Sequence, residues 1–231
     1  MSLSNMPHDG LILAVDGPSG TGKSSTCRAV AKQLDAKYVD TGAMYRVATL
    51  AVLRAGVDPD DTAAVIAATA NLPLTVSDDP DSTEVLLSGD DVSGEIRGPE
   101  VTRAVSAVSA IPEVRKNLVE LQRKLARDAH RAIVEGRDIG TVVLDTAPAK
   151  VFLTASADVR ARRRYDQDIA AGRETDYDMV LADVQRRDEL DSSRATSPLR
   201  PADDAEVIDT SDLTPDEVVA ALISVIEKSA K

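Results

Sequence analysis

Gly17-Pro18-Ser19-Gly20-Thr21-Gly22-Lys23-Ser24 sets glycine at the first, fourth and sixth of eight positions, then closes on a lysine and a hydroxyl. Each residue type has a physical purpose. Glycines let the backbone turn sharply and approach a ligand, so that successive N–H groups converge on an anion at the start of a helix. Lys23 offers a mobile positive charge to outer phosphate oxygens, and the Ser24 hydroxyl, followed by Ser25, offers a hard oxygen ligand for magnesium. This is the Walker A pattern of a phosphate-binding loop. A nucleoside triphosphate is the expected ligand, held by residues 17–25. An ordinary glycine-rich turn would have no need of the lysine. Cys27, one turn further on, reads as small core packing.

A phosphate loop does not say where the phosphate goes. Switch GTPases need a base-reading Asn-Lys-x-Asp run, and the chain has none. Motors carry an apolar strand ending in Asp, and the nearest match here is Ala-Ile-Val-Glu135. A short chain therefore favours a small-molecule kinase. Its arginines point the same way. Tyr45-Arg46 follows Asp40-Thr41-Gly42, and Arg137-Asp138 follows the apolar run Ala132 to Val134. Ligands of open α/β sheets bind beyond the carboxyl ends of the strands, which is where Arg137 and Asp138 fall. Arg187, Asp191 and Arg194 lie at i, i+4 and i+7, one face of a helix that continues that far. Arg160, Arg163 and Arg164 form a second such face. Taken singly, most of these arginines read as solvated charges in i,i+4 pairs. Arg137 does not, because of its place after a strand.

The elements that must position these groups alternate. The run LILAVDG is apolar on both faces, as a central parallel strand must be. A helix is expected over 22–34, a strand at Lys37 to Val39, and helices over Gly42 to Arg54 and 61–70. Leu72 to Val76 and Glu84 to Leu87 flank the turn-rich SDDPDS, and a further short segment ends at Ile96, suggesting a small antiparallel insert over 72–97. Helical spacing returns from Pro112, followed by apolar runs at Ala132 to Val134, Val142 to Leu144 and Val151 to Leu153. Helices over Ala157 to Ala171 and Tyr177 to Asp191 precede a strand at Glu206 to Asp209 and a helix from Thr214, where Thr-Pro-Asp-Glu forms a capping signal. The expected class is α/β.

Composition removes whole classes. The 231 residues are 43% hydrophobic and 29% charged, so collagen, coiled-coil rods and disordered tails are excluded. Twenty-seven basic against 39 acidic side chains leave a net charge of −12. Such a surface repels nucleic acid and anionic membranes, so phosphate must be met in a local concentration of cations. One cysteine and two histidines cannot build a zinc site or an internal disulfide. Without a signal peptide or a long apolar run, the expected location is the cytoplasm. A monomer is expected because no long apolar helix face is left over. Flexible ends are expected at 1–9 and 229–231.

The segments GPSGTGKSS, DTGAMYR, EVLLSGDDVSGEIR, EGRDIGTVV and RRDELDSSRATSPL occur in this order from about Leu11 to Asp209. Together they resemble the bacterial cytidylate kinase family, and DVSGEIR and GRDIGTVV are more specific than the phosphate loop. The resemblance implies transfer of the γ-phosphoryl of ATP to CMP or dCMP with Mg2+. It implies a parallel five-stranded P-loop kinase core with helices on both faces, a nucleotide-binding insert, and a helical lid near 157–175. It puts the acceptor phosphate on Arg46, Arg137 and Arg194, with Thr41 and Gly42 nearby. Cytosine falls to Ser106, Arg115 and Asp138, and the ribose to Arg187 and Asp191. Arg160, Arg163, Arg164 and the Arg173 region correspond to the lid over ATP. Thr41 stands where a serine is often found, which keeps the hydroxyl. Glu135 stands where some relatives carry Asp, and no role is carried over to it.

The chemistry agrees with these assignments. Cytosine presents an N4 amino donor, which a carboxylate such as Asp138 accepts, beside acceptors that Arg115 and Ser106 can satisfy. Uracil would turn O4 toward that carboxylate, at a cost of about 1–3 kcal/mol. A nucleoside monophosphate needs no general base, since the second pKa of a phosphate ester is about 6. Other readings of the residues are a different small P-loop kinase, a nucleotide-dependent regulator without turnover, and an interaction module. The last gives no reason for the arginine spacings.

Overall fold

Ile12–Asp16, apolar along nearly its whole length, becomes the middle strand of the main sheet, where both faces are covered. The computed structural model describes residues 10–229. The main sheet has the order β2-β6-β1-β7-β8 and every pairing in it is parallel. Its strands are β1 (Ile12–Asp16), β2 (Lys37–Asp40), β6 (Ala132–Gly136), β7 (Ala149–Thr154) and β8 (Glu206–Asp209). Asp16 lies level with Gly136 and Phe152, so β1 and β6 finish together and β7 runs two residues further, to Thr154.

Alternation along the strands assigns each side chain to a face. Leu13, Val15, Ile133, Val151 and Leu153 pack beneath α1 (Lys23–Gln33) and α8 (Pro215–Ser229). Ala14, Val39 and Val134 face the opposite way. There they meet α2 (Thr41–Arg54), α3 (Thr62–Thr69), α4 (Pro99–Ala110) and α5 (Pro112–Asp128). The helix α4 is absent from the reading of the sequence. Its Val, Thr and Ser residues have weak helical preference and are held by packing of Val101, Val105 and Val108. The apolar run Val142 to Leu144 forms no strand, because a π-helical turn over Ile139–Val143 occupies its place after β6.

The insert is a three-stranded antiparallel sheet of β3 (Leu74–Val76), β4 (Val85–Leu87) and β5 (Asp90–Asp91). Val85, Leu87, Val92 and Ile96 seat it on Ala43, Val47 and Leu50 of α2. The segment to Ile96 ends as a 3-10 turn over Glu95–Arg97. Beyond β7, α6 (Ala157–Ala170) and α7 (Tyr177–Ser193) pair through Ala161, Val180 and Val184. Apart from Ser229, which ends α8, the two termini expected to be flexible lie outside the described residues. Among the described residues no helix is long and apolar enough to cross a membrane.

Candidate active site

The loop between β1 and α1 has the backbone that its glycines permit. Gly17, at φ 145°, lies so close to β7 that an added Cβ would sit 2.0 Å from the Leu153 carbonyl oxygen. Gly20 (φ 83°) abuts Arg160, and Gly22 (φ 87°) caps α1 in the left-handed region. Lys23 is buried and donates from Nζ to the carbonyls of Gly17 (2.7 Å) and Pro18 (2.6 Å). Burial, then the charge of Arg137, pulls its pKa down to about 7. The Thr21 hydroxyl donates to the Pro18 carbonyl at 3.2 Å, and that of Ser25 to the Gly22 carbonyl at 2.9 Å. Ser24 is exposed in the first turn of α1. Gly17→Ala cannot be accommodated, since the obstacle is backbone. A thermal melt should show a loss of about 3 kcal/mol or more, roughly 6–12 °C for a chain of this size.

Arg46, Arg187 and Arg194 converge on the crevice beside this loop. Arg46 donates from Nη1 to the Ile96 carbonyl and the Thr102 hydroxyl, both at 2.9 Å, which ties α2 to the insert and α4. Burial, then the Arg187 charge, lowers its pKa to about 10. Burial also lowers Arg187 and Arg194, with Arg137 adding to both shifts. Arg187 Nε and Arg194 Nη2 are buried with no hydrogen-bond partner among the described residues. Orphaned donors on mutually repelling cations are costly unless an anion meets them. Arg194 does not extend the helical face: α7 ends at Ser193, and Arg194 is its extended C-cap, donating from Nε to the Ser197 carbonyl at 2.7 Å. Asp191 is bound by Arg137 Nε at 3.0 Å.

Arg115 and Asp138 form a buried ion pair at the inner wall of the crevice. Arg115 also donates to the Ser109 carbonyl at 3.1 Å and lies 5.2 Å over the Tyr45 ring. Ser106 is buried one turn before Ser109 on α4. The Thr41 hydroxyl donates to the Glu135 carbonyl at 2.7 Å, fastening the start of α2 to the end of β6, while Gly42 is exposed.

Arg160, Arg163 and Arg164, three of the four arginines of α6, diverge. Arg160 is buried and bridges to Asp188 of α7 (2.9 Å) and the Ser19 carbonyl (3.3 Å). Arg163 donates to the Thr210 hydroxyl and carbonyl at 3.1 and 2.6 Å, and Thr210 in turn donates to the Thr21 carbonyl. Arg164 pairs with Asp168 at 3.2 Å and adds to the charge felt by Arg46 and Arg187. Arg173 is exposed and pairs with Asp168.

Three carboxylates in or beside this region were not foreseen as structural partners. Asp188 braces Arg160. Glu135 is buried at the end of β6, accepts from the Tyr38 hydroxyl, and is pushed up by burial and then by Asp40. Asp16, at the end of β1, accepts backbone N–H bonds from the turn after β6. For Glu135 and Asp16 the available sequence signal was a charged residue ending an apolar strand, which marks a strand end without naming a partner; Asp188, within α7, had no such signal.

A parallel sheet with a phosphate loop after its central strand, facing a crevice of half-buried arginines, defines a P-loop kinase fold. An uncharacterized protein from Eubacterium ventriosum shares it at TM-score 0.55 and 13% identity, over 95% of this chain and 99% of the other. A gluconokinase from Sinorhizobium meliloti does so at TM-score 0.51 and 14% identity, over 97% and 95%. Residues 13–228 match the family model described as cytidylate kinase. The chain is 71% identical to a cytidylate kinase of Corynebacterium glutamicum over 98% of each chain. It is 63% identical to one of Nocardia farcinica, over 94% of this chain and 93% of the other. The chain belongs to the cytidylate kinase family.

Proposed function

We propose that this chain transfers the γ-phosphoryl group of ATP to CMP or dCMP, giving ADP and CDP or dCDP. One observation supports the arrangement: Arg137 follows the carboxyl end of β6, which pairs with β1 and its phosphate loop, and is tied at 3.0 Å to Asp191 of the arginine-bearing helix α7. On this reading Arg137 meets the phosphoryl group as it passes from the donor on the loop to the acceptor on the arginines. Residues 17–25 cradle the ATP phosphates. Arg46, Arg137 and Arg194, with Thr41 and Gly42, hold the acceptor phosphate, and Arg187 and Asp191 take the ribose.

Catalysis is positioning and charge neutralisation, since the acceptor is already mostly dianionic at neutral pH. Lys23 and the arginines meet charge on the transferred group with donors fixed in advance. The helix α6 and the Arg173 region beyond it, about 157–175, serve as the lid, with Arg160, Arg163 and Arg164 on the ATP side, and its closure keeps water from the γ-phosphate. The small antiparallel sheet and its turn form the monophosphate-binding insert.

The donor set fits magnesium. Ser24 supplies a hydroxyl in the first turn of α1, and Glu135 and Asp40 supply nearby carboxylates. Such hard oxygens suit an ion that keeps several waters and takes its remaining ligands from phosphates. When bound near Ser24, Mg2+ would supply positive charge that offsets the charge of the phosphates. The same reading has the chain act as a cytoplasmic monomer on small nucleotides, in keeping with its net charge of −12.

ATP consumption measured with CMP, dCMP, UMP, AMP and no acceptor tests the reaction. Rapid turnover with CMP and dCMP alone is expected, and preference for another acceptor overturns it. Asp138 is the proposed discriminator between C and U. Asp138→Ala should lose CMP activity far more than ATP binding, but it also strands the buried Arg115. Asp138→Asn is cleaner: its oxygen can still accept from Arg115 while its amide would favour the O4 of uracil. The CMP-to-UMP ratio of kcat/KM should shrink by about 5- to 150-fold. An unchanged ratio removes Asp138 from base recognition.

A further inference from the structure

Asp138 stands at the N-cap position of the Ile139–Val143 turn, with φ −145° and ψ 27°, yet its side chain makes no capping hydrogen bond there. Aspartate is a favoured cap because its carboxylate accepts the first free N–H groups of a turn. Here those amides go elsewhere. Ile139 N–H donates to Asp16 Oδ1 at 2.7 Å and Gly140 N–H to Asp16 Oδ2 at 2.8 Å. The carboxylate that caps the turn therefore comes from β1, the residue immediately before Gly17. We infer that Asp16 is a positioning residue, whose carboxylate caps the Ile139–Gly140 turn in place of Asp138. It thereby frees Asp138 for Arg115 and the base, and locks the acceptor wall to the start of the phosphate loop.

The surroundings are shaped for this contact. Asp16 is 3% exposed. A Cβ on Gly140 would lie 3.4 Å from Asp16 Oδ2 and 3.3 Å from Lys150 Cδ, so the turn approaches the carboxylate closely. Burial pushes the pKa of Asp16 up to about 6 even though both N–H bonds act in the opposite direction. Nearby Asp138 also repels it and Lys23 attracts it. Keeping this carboxylate ionised in the fold is thus costly, and an apolar residue would serve a purely structural strand end at less expense.

The inference rests on the reading that Asp138 faces the acceptor base. Asp16→Asn keeps the shape but offers one acceptor for two amides and turns an NH2 toward the second. Without a full cap from β1, the Asp138 carboxylate should be drawn to its own turn and away from Arg115. Calorimetry should find CMP affinity reduced by about tenfold or more. Binding of a non-hydrolysable ATP analogue should stay within about twofold, and the preference for CMP over UMP should fall with CMP affinity. Melting should stay near the wild-type temperature, the relief of a buried charge offsetting the amide left unpaired. Gly140→Val, whose branched side chain must crowd both Asp16 Oδ2 and Lys150 Cδ while leaving the Asp16 side chain itself unaltered, should give the same selective loss, and it decides the matter if Asp16→Asn does not fold. Unchanged CMP affinity and selectivity would overturn the inference, as would equal loss of CMP and ATP-analogue binding. If Asp138→Asn alters the CMP-to-UMP ratio while these variants do not, only the role of Asp16 fails. If Asp138→Asn leaves that ratio unchanged, the reading of the base pocket fails first.

Discussion

Lys23→Met is expected to lower kcat/KM for CMP by about a thousandfold, close to 4 kcal/mol of transition-state stabilisation, with the fold intact. The ammonium is buried, and its two close partners are the neutral carbonyls of Gly17 and Pro18. Its pKa, drawn down to about 7 by burial and then by Arg137, shows how poorly the loop alone supports the charge. Phosphate oxygens supply the missing counter-charge, so the ammonium should act on the ligand rather than on the fold. Methionine fills similar space without a charge to desolvate, so the variant should melt no lower than the wild type. A coupled ADP assay beside a thermal melt decides it. A folded variant within tenfold of the wild-type rate would remove Lys23 from the chemistry.

Arg137→Ala should lower kcat with CMP by about a hundred- to a thousandfold while leaving ATP-analogue binding nearly unchanged. Arg137 is half-buried and tethered through Nε to Asp191 at 3.0 Å, with a longer Nη1 contact of 3.4 Å to the Gly136 carbonyl. Among the described residues no hydrogen bond engages its Nη2. The Asp191 tether aims the guanidinium, and the free edge suits a planar, two-point grip on a phosphoryl group. Arg137→Lys keeps the charge but not the fork, so it should recover only part of the loss. Asp191→Asn separates tether from grip: it should cost less than Arg137→Ala, since the guanidinium remains. A near-normal rate for Arg137→Ala would place the transferred group elsewhere.

The phosphate loop was legible in the sequence because its function is local. Eight adjacent residues carry both the backbone turn and the charge, and the apolar strand before them defines their surroundings. The same holds for the strands of the sheet, whose apolar runs and flanking turns follow from neighbours in the chain. The helix α4 was not legible, since its β-branched and hydroxyl residues are helical only when packed against α2 and α5. The turn at Ile139–Val143 read as another apolar run for a related reason, because an apolar stretch of that length does not choose between strand and turn.

Among the site residues, the sequence by itself determined which side chains carry charge and on which helix or strand end they stand. It could not determine whom they meet. The regular spacing of Arg187, Asp191 and Arg194 suggested partners along one helix, yet Asp191 binds Arg137, which follows β6, and Arg194 caps the helix instead of continuing it. Arg160, Arg163 and Arg164 shared a predicted face and serve three different neighbours. Asp16 and the amides it accepts are 123 and 124 residues apart, joined only because β1 and β6 lie side by side in register. The strength of an ion pair or a cap depends on distance and burial, and for residues far apart in the chain both are set by the packing of the sheet.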